Sequence, residues 1–169
     1  MKTTLNAILL HSPCGDGWRR LLKNLGKTRP DDEPLSILTI MKSNGLDDAL
    51  WALRAVEGCD REIRLLAVWC ARQVQHLMTD QRSLEAMDVA ERFANGNSDD
   101  DELSAAGTSA WAAAETSAWA AARAAAGDAE EDSDDDELSA ARDAARAAAW
   151  DAAQAAQKTK LIEICEACR

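Results

Sequence analysis

The sequence predicts an all-α protein: a helical bundle followed by a long alanine-rich antiparallel helical hairpin. Three observations carry that expectation. Apolar residues recur at i, i+3 and i+4 along nearly every segment. Strand signals are scarce, since tyrosine is absent, Phe93 is the sole phenylalanine, and Asn44-Gly45 and Asn95-Gly96 end helical patterns instead of joining alternating runs. Alanine supplies 26 of the last 72 residues, and alanine is the strongest helix former.

In chain order, Thr3 or Thr4 caps a short helix to Leu10, and His11-Ser12-Pro13 breaks it. Gly17 to Leu25 forms a second helix with Trp18, Leu21, Leu22 and Leu25 on one face and Gly26 as its stop. Pro34 opens a third helix through Leu35, Leu38 and Met41, ending at Asn44-Gly45. Leu46 to Val56 follows. Asp60 caps the next helix, whose buried stripe is Ile63, Leu66, Ala67, Cys70, Val74 and Leu77. Ser83 to Ala94 completes a bundle over residues 1–97, with Leu84, Met87, Ala90 and Phe93 in its core. Residues 98–169 change style. One helix runs from Ser98 or Asp99 to about Ala126, with Gly127 as its end, and a second from Ser133 to about Cys168. The short acidic link between them makes the pair antiparallel.

Charge shows the same division. The net charge is −11, and residues 1–97 hold 13 basic and 13 acidic side chains, so residues 98–169 carry all of it. An acidic surface opposes direct nucleic-acid binding, which needs clustered Lys and Arg, and it opposes an anionic membrane surface. No apolar run of about 18 residues is present. The apolar stretch Leu5 to Leu10 is broken by Asn6 and is too weak for a signal peptide, so a cytoplasmic location in a bacterial host is expected. Five cysteines, odd in number and irregularly spaced, fit reduced thiols better than a disulfide framework.

The string SDDDELSAA occurs at Ser98–Ala106 and again at Ser133–Ala141. Ser and Asp accept bonds from free N–H groups at a helix start, and each copy places an acid three residues after a cap: Asp99 to Glu102, Asp134 to Glu137. Extra carboxylates there also favour the helix dipole. Helix capping therefore explains both position and composition. An imitation of a nucleic-acid backbone stays open beside it. A calcium loop does not fit, because no glycine stands where the loop must bend. Thr108-Ser-Ala-Trp-Ala-Ala-Ala114 repeats as Thr116-Ser-Ala-Trp-Ala-Ala-Ala122, which sets Trp111 and Trp119 about 80° apart around a helix. Trp150 stands on the second helix, eleven residues before Leu161 at nearly the same angle. The tryptophans either fill the seam between helices or serve as exposed anchors for a partner.

Catalytic and metal signals are thin. His11, Cys14 and Asp16 crowd one turn, whereas Cys–His catalysis draws its partners together from distant segments. Cys165-x-x-Cys168 is half of a zinc motif with no second half. No enzyme activity, metal or cofactor is expected.

The order Leu46-Asp-Asp-Ala-Leu-Trp-Ala-Leu-Arg-Ala-Val56, Arg64-Leu-Leu-Ala-Val-Trp-Cys-Ala-Arg72, Ala90-Glu-Arg-Phe-Ala-Asn-Gly96, then Glu-Leu-Ser-Ala-Ala with Ala/Trp/Arg/Asp repeats and Lys160-Leu-Ile-Glu163 resembles the immunity-protein family of bacteria and prophages. The likeness covers roughly residues 34–169. It implies a helical head, an Ala/Trp-rich helical tail and a role in binding and neutralising a toxic partner. A phage member would be aimed at a host defence complex, in the manner of an anti-CRISPR protein.

The functional expectation is a non-enzymatic inhibitor of a protein with a basic surface, such as a nuclease, toxin or defence effector, reached by occupying its nucleic-acid site. The candidate contact residues are Asp128, Glu130, Glu131, Asp132, Asp134, Asp135, Asp136 and Glu137, with Asp99, Asp100, Asp101 and Glu102, for steering. Trp111, Trp119 and Trp150 are the candidate anchors. The alternative is a structural module that forms homo-oligomers through its alanine-rich helices.

Overall fold

The computed structural model describes residues 1–78, 80–109 and 136–168. They are mostly helical, with one antiparallel pair of two-residue strands. Contacts group the chain into two compact units: Met1–Leu66 with Gln154–Arg169, and Ala67–Ala153. The composition break at residues 97 and 98 lies inside the second unit.

In the first unit, β1 (Lys2–Thr3) is followed by α1 (Leu5–Leu10), which Thr4 caps by accepting the Ala7 N–H at 3.0 Å. α2 spans Gly15–Asn24, and its N-cap is Cys14, whose sulfur accepts the Gly17 N–H at 3.3 Å. The third helix does not open at Pro34. Leu35–Ser36 form β2, with Lys2 opposite Ser36 and Thr3 opposite Leu35, and that pairing holds both residues extended. α3 (Ile37–Asn44) then starts on Ser36, whose hydroxyl accepts the Leu38 N–H at 3.2 Å. Gly45, at φ 99° and ψ 179°, separates it from α4 (Leu46–Ala52), a conformation that only glycine adopts without strain. A 3-10 turn, Leu53–Ala55, follows. Leu5, Ile8, Ile37, Ile40 and Ala49 form the core, together with Leu161 from the chain's last helix. The buried Thr3 hydroxyl donates to the Ala55 carbonyl, so this polar side chain enters the core satisfied.

The last helix, α8, spans Asp136–Ala167. Its end is fixed in the first unit twice. The Met1 ammonium donates to the Cys165 and Cys168 carbonyls at 2.9 Å each, which satisfies orphan acceptors at the negative end of the helix dipole. Cys168 is also joined to Cys59 by a disulfide, with Cα atoms 6.4 Å apart across 109 positions. The expectation of five reduced thiols is therefore corrected. Cys59 stands just before α5 (Asp60–Gln73) and Cys168 just after α8, so the fold brings together two sulfurs whose sequence spacing carries no signal. Cys14, Cys70 and Cys165 are the free cysteines, and burial pushes the Cys70 and Cys165 thiols up.

In the second unit, the end of α5 leads through a 3-10 turn, Gln75–Leu77, to α6 (Gln81–Ala94). The stripe expected on α5 is narrower than the sequence suggests. Leu66 is buried, but Ala67 is exposed and its neighbour Val68 is buried instead; Val74 is exposed because the helix ends at Gln73 and Val74 leaves the helical phase. Arg72 joins α5 to α6: its guanidinium donates to Asp88 at 2.9 Å and pairs with Glu91. Asp80 caps α6, accepting the Arg82 N–H at 2.9 Å. Met87, Val89 and Ala94 are its buried residues. A further helix, α7, occupies 100–109 of the described residues.

Candidate functional site

The first acidic repeat opens α7. Asp99 accepts the Glu102 N–H at 2.8 Å, as a side-chain cap does. The Glu102 carboxylate accepts the Ser98 hydroxyl at 2.6 Å and pairs with Arg92. Two of the four acids thus work inside their own unit. Asp100 and Asp101 are exposed and enter no ion pair among the described residues. Of the second repeat, Asp136 and Glu137 stand in the first turn of α8. Asp128, Glu130, Glu131, Asp132, Asp134, Asp135, Trp111 and Trp119 lie outside the described residues.

Trp150 is the described anchor candidate. It lies on α8 and is 64% exposed, whereas Leu161, on nearly the same face of that helix, is 0% exposed. Around it Asp151, Ala152, Ala153, Ala155 and Ala156 are exposed as well. An indole with so much apolar area in water, next to exposed small side chains in sequence, is a candidate anchor.

The crowded turn at His11, Cys14 and Asp16 forms no relay: Cys14 accepts from Gly17, Asp16 pairs with Arg19 at 2.5 Å, and no hydrogen bond links the three. Cys165 and Cys168 do not act as a pair, since Cys168 is bonded to Cys59. Among the described residues no group of three or more His, Cys, Asp or Glu side chains is placed to hold a metal ion. Among them, too, no helix is long and apolar enough to cross a membrane.

The structure also shows a cavity that the sequence reading missed. It has a volume of about 80 Å3 and lies in the first unit against α2, α3 and α4, with Trp18, Trp51, Asn44, Asp48 and Cys14 on its wall. Asn44 organises it, donating to the Gly17 carbonyl at 2.8 Å and to Asp48 Oδ2 at 2.7 Å. Arg54 lies over the Trp51 ring with its guanidinium carbon 4.4 Å from the centroid, and donates to the Trp51 carbonyl at 2.9 Å. The sequence reading sets Gly17 at the start of its helix, whereas in the structure it lies within the first turn of α2, close against Asp48 and Cys14.

Compared with known protein families, with curated proteins and with solved structures, the chain matches none.

Proposed function

We propose that this chain is a non-catalytic binding protein that engages a partner with a basic surface and blocks it. In this reading it is an immunity-type or phage anti-defence inhibitor of a nuclease or nucleic-acid-binding effector, and residues 98–169 form an antiparallel hairpin that presents the contact face. The observation that carries the reading is Trp150, exposed on a helix whose other end is sealed into a core. Docking the exposed part of its indole would remove on the order of 120 Å2 from water, worth about 3 kcal/mol. That is the size of an interface hot spot. The surplus of negative charge in residues 98–169, with Asp100 and Asp101 unpaired among the described residues, supports a basic partner through charge complementarity.

The test is retention of host proteins by the immobilised chain at low and high salt, run in parallel with Trp150→Ala and Asp100→Asn/Asp101→Asn. One basic protein, lost in the Trp150 variant, weakened by salt and inhibited in its own activity by the purified chain, is the expected outcome. A retained protein indifferent to both variants would remove these residues from the contact. The run of exposed alanines beside Trp150 favours a second reading, self-assembly through closely packed helices. A dimer in sedimentation that dissociates in Trp150→Ala, with no foreign partner retained, would replace the inhibitor reading by that one.

A further inference from the structure

The cavity of the first unit has a chemistry of its own, independent of the partner contact on α8. Its floor is apolar, with Ile8, Leu21 and Ile40, and two half-buried indoles stand on its wall. Asp48 is the single charged residue lining it. The carboxylate is half-buried and enters no ion pair among the described residues. Asn44 holds Oδ2 by a 2.7 Å hydrogen bond. Gly17 leaves room for it: a Cβ there would stand 2.8 Å from Oδ2 and 3.0 Å from the Cys14 sulfur and would push these groups aside.

A fixed, partly desolvated carboxylate without a counter-charge favours a cation and rejects an anion. Indole rings beside it add the attraction of a cation for the face of an aromatic ring, which Arg54 already exploits on Trp51. The kind of cation follows from the walls of the site: the apolar floor and the two indoles favour a cation that carries methylene or methyl groups, and one half-buried carboxylate is enough for a point-like ammonium. The volume of about 80 Å3 suits a compact group. We infer that this cavity binds an alkylammonium group. Asp48 neutralises the charge, Trp18 and Trp51 flank its methylene or methyl groups, and Cys14 stands at the exposed mouth.

The experiment uses the full chain with n-butylammonium, tetramethylammonium, sodium and 1-butanol as probes. The indole N–H signals of Trp18 and Trp51 are followed by two-dimensional NMR and assigned with Trp18→Phe and Trp51→Phe. Saturable shifts of both signals with an alkylammonium are expected, with none from sodium or 1-butanol. Affinity should fall at least tenfold in Asp48→Asn, which keeps the size and the Asn44 contact. If 1-butanol binds as well as butylammonium, the cavity is an apolar hollow and the inference fails. It fails equally if Asp48→Asn binds undiminished, or if no alkylammonium shifts either signal. The butylammonium and butanol comparison needs no variant, so it stands even where a substitution unfolds the chain. A capped lysine probe separates the two sources of the group: binding as tight as butylammonium assigns a protein side chain, and loss of binding assigns a free amine.

Discussion

Reduction of the Cys59–Cys168 disulfide should destabilise the first unit by several kcal/mol. The bond spans 109 positions, and cross-linking a chain over that distance removes loop-closure entropy from the unfolded state worth about 4.8 kcal/mol at 25 °C. The second unit modifies this figure. If it stays compact while the first unit unfolds, the flexible part of the loop shrinks to residues 60–66 and 154–167. For a loop of roughly that size the same relation gives about 3 kcal/mol. The expected loss therefore lies between about 3 and 5 kcal/mol, which moves a urea midpoint by roughly 2 M at a slope of about 2 kcal/mol per M. The assay is urea unfolding of the oxidised chain, of the chain under a phosphine reductant, and of Cys168→Ser. Cys14, Cys70 and Cys165 are replaced by serine or alanine throughout, so that no other sulfur exchanges. Agreement between the reduced chain and Cys168→Ser, both below the oxidised chain, is the expected pattern. Equal midpoints in all three would refute the reasoning, because the two ends of the loop would then be held in the native fold without the bond contributing.

Four further outcomes follow from local geometry. Gly45→Ala should cost about 1–3 kcal/mol by thermal unfolding, because no neighbour lies within 4 Å of the added Cβ and the whole cost is the backbone at φ 99°. Gly107→Ala meets open space too but sits inside α7 with no positive φ, so it should stabilise by about 0.5–1 kcal/mol in the same assay. Asp80 is held at about 2, from an ordinary value of 3.8, first by the Arg82 side chain and then by the Arg82 N–H. A carboxyl whose folded pKa is depressed adds stability above its unfolded pKa and loses it as pH falls. The contribution should therefore fade between pH 3.8 and about 2, and Arg82→Ala should raise the Asp80 titration midpoint seen by carbon NMR. Arg72→Met should cost about 1 kcal/mol or less, and 1 M salt should shrink the difference, since Arg72 and its partners Asp88 and Glu91 are all partly in water.

Some helix caps and stops were legible in the sequence because they are local: Thr4, Gly45 and the end of α6 at Ala94 stand where residue chemistry puts them. The starts of α2, α3 and α6 were not, and fall on Cys14, Ser36 and Asp80 in place of Gly17, Pro34 and Ser83. The strand pair was not legible, since two residues have no periodicity and their partners stand more than thirty positions away. The disulfide was hidden for a related reason. Cys165-x-x-Cys168 offered a local pattern, while the sulfur that Cys168 meets belongs to the turn before α5. The cavity shows the same limit: Trp18 reads as part of one helix's apolar face and Trp51 stands on another helix, and the packing of α2, α3 and α4 sets them on one wall with Asp48. The first acidic repeat was half legible. Its capping by Asp99 follows from spacing, but the choice of Arg92 as partner for Glu102 depends on how the chain turns between α6 and α7.

Steering and anchoring are separable, and this separates the partner reading from a general stickiness of an acidic helix. On the proposed function, Asp100 and Asp101 would act at a distance on a basic partner, and charge of that kind changes the rate of encounter. Trp150 would act only after contact, so its loss would change the rate of departure. Asp100→Asn/Asp101→Asn should therefore lower the association rate several-fold at low salt and leave dissociation nearly unchanged. Trp150→Ala should leave association nearly unchanged and speed dissociation about a hundredfold, the rate equivalent of about 3 kcal/mol. Surface plasmon resonance with the retained partner at two salt concentrations resolves both rates. If Trp150→Ala and the charge variant both act on association alone, the indole is not buried in the complex, and the contact is electrostatic without an anchor.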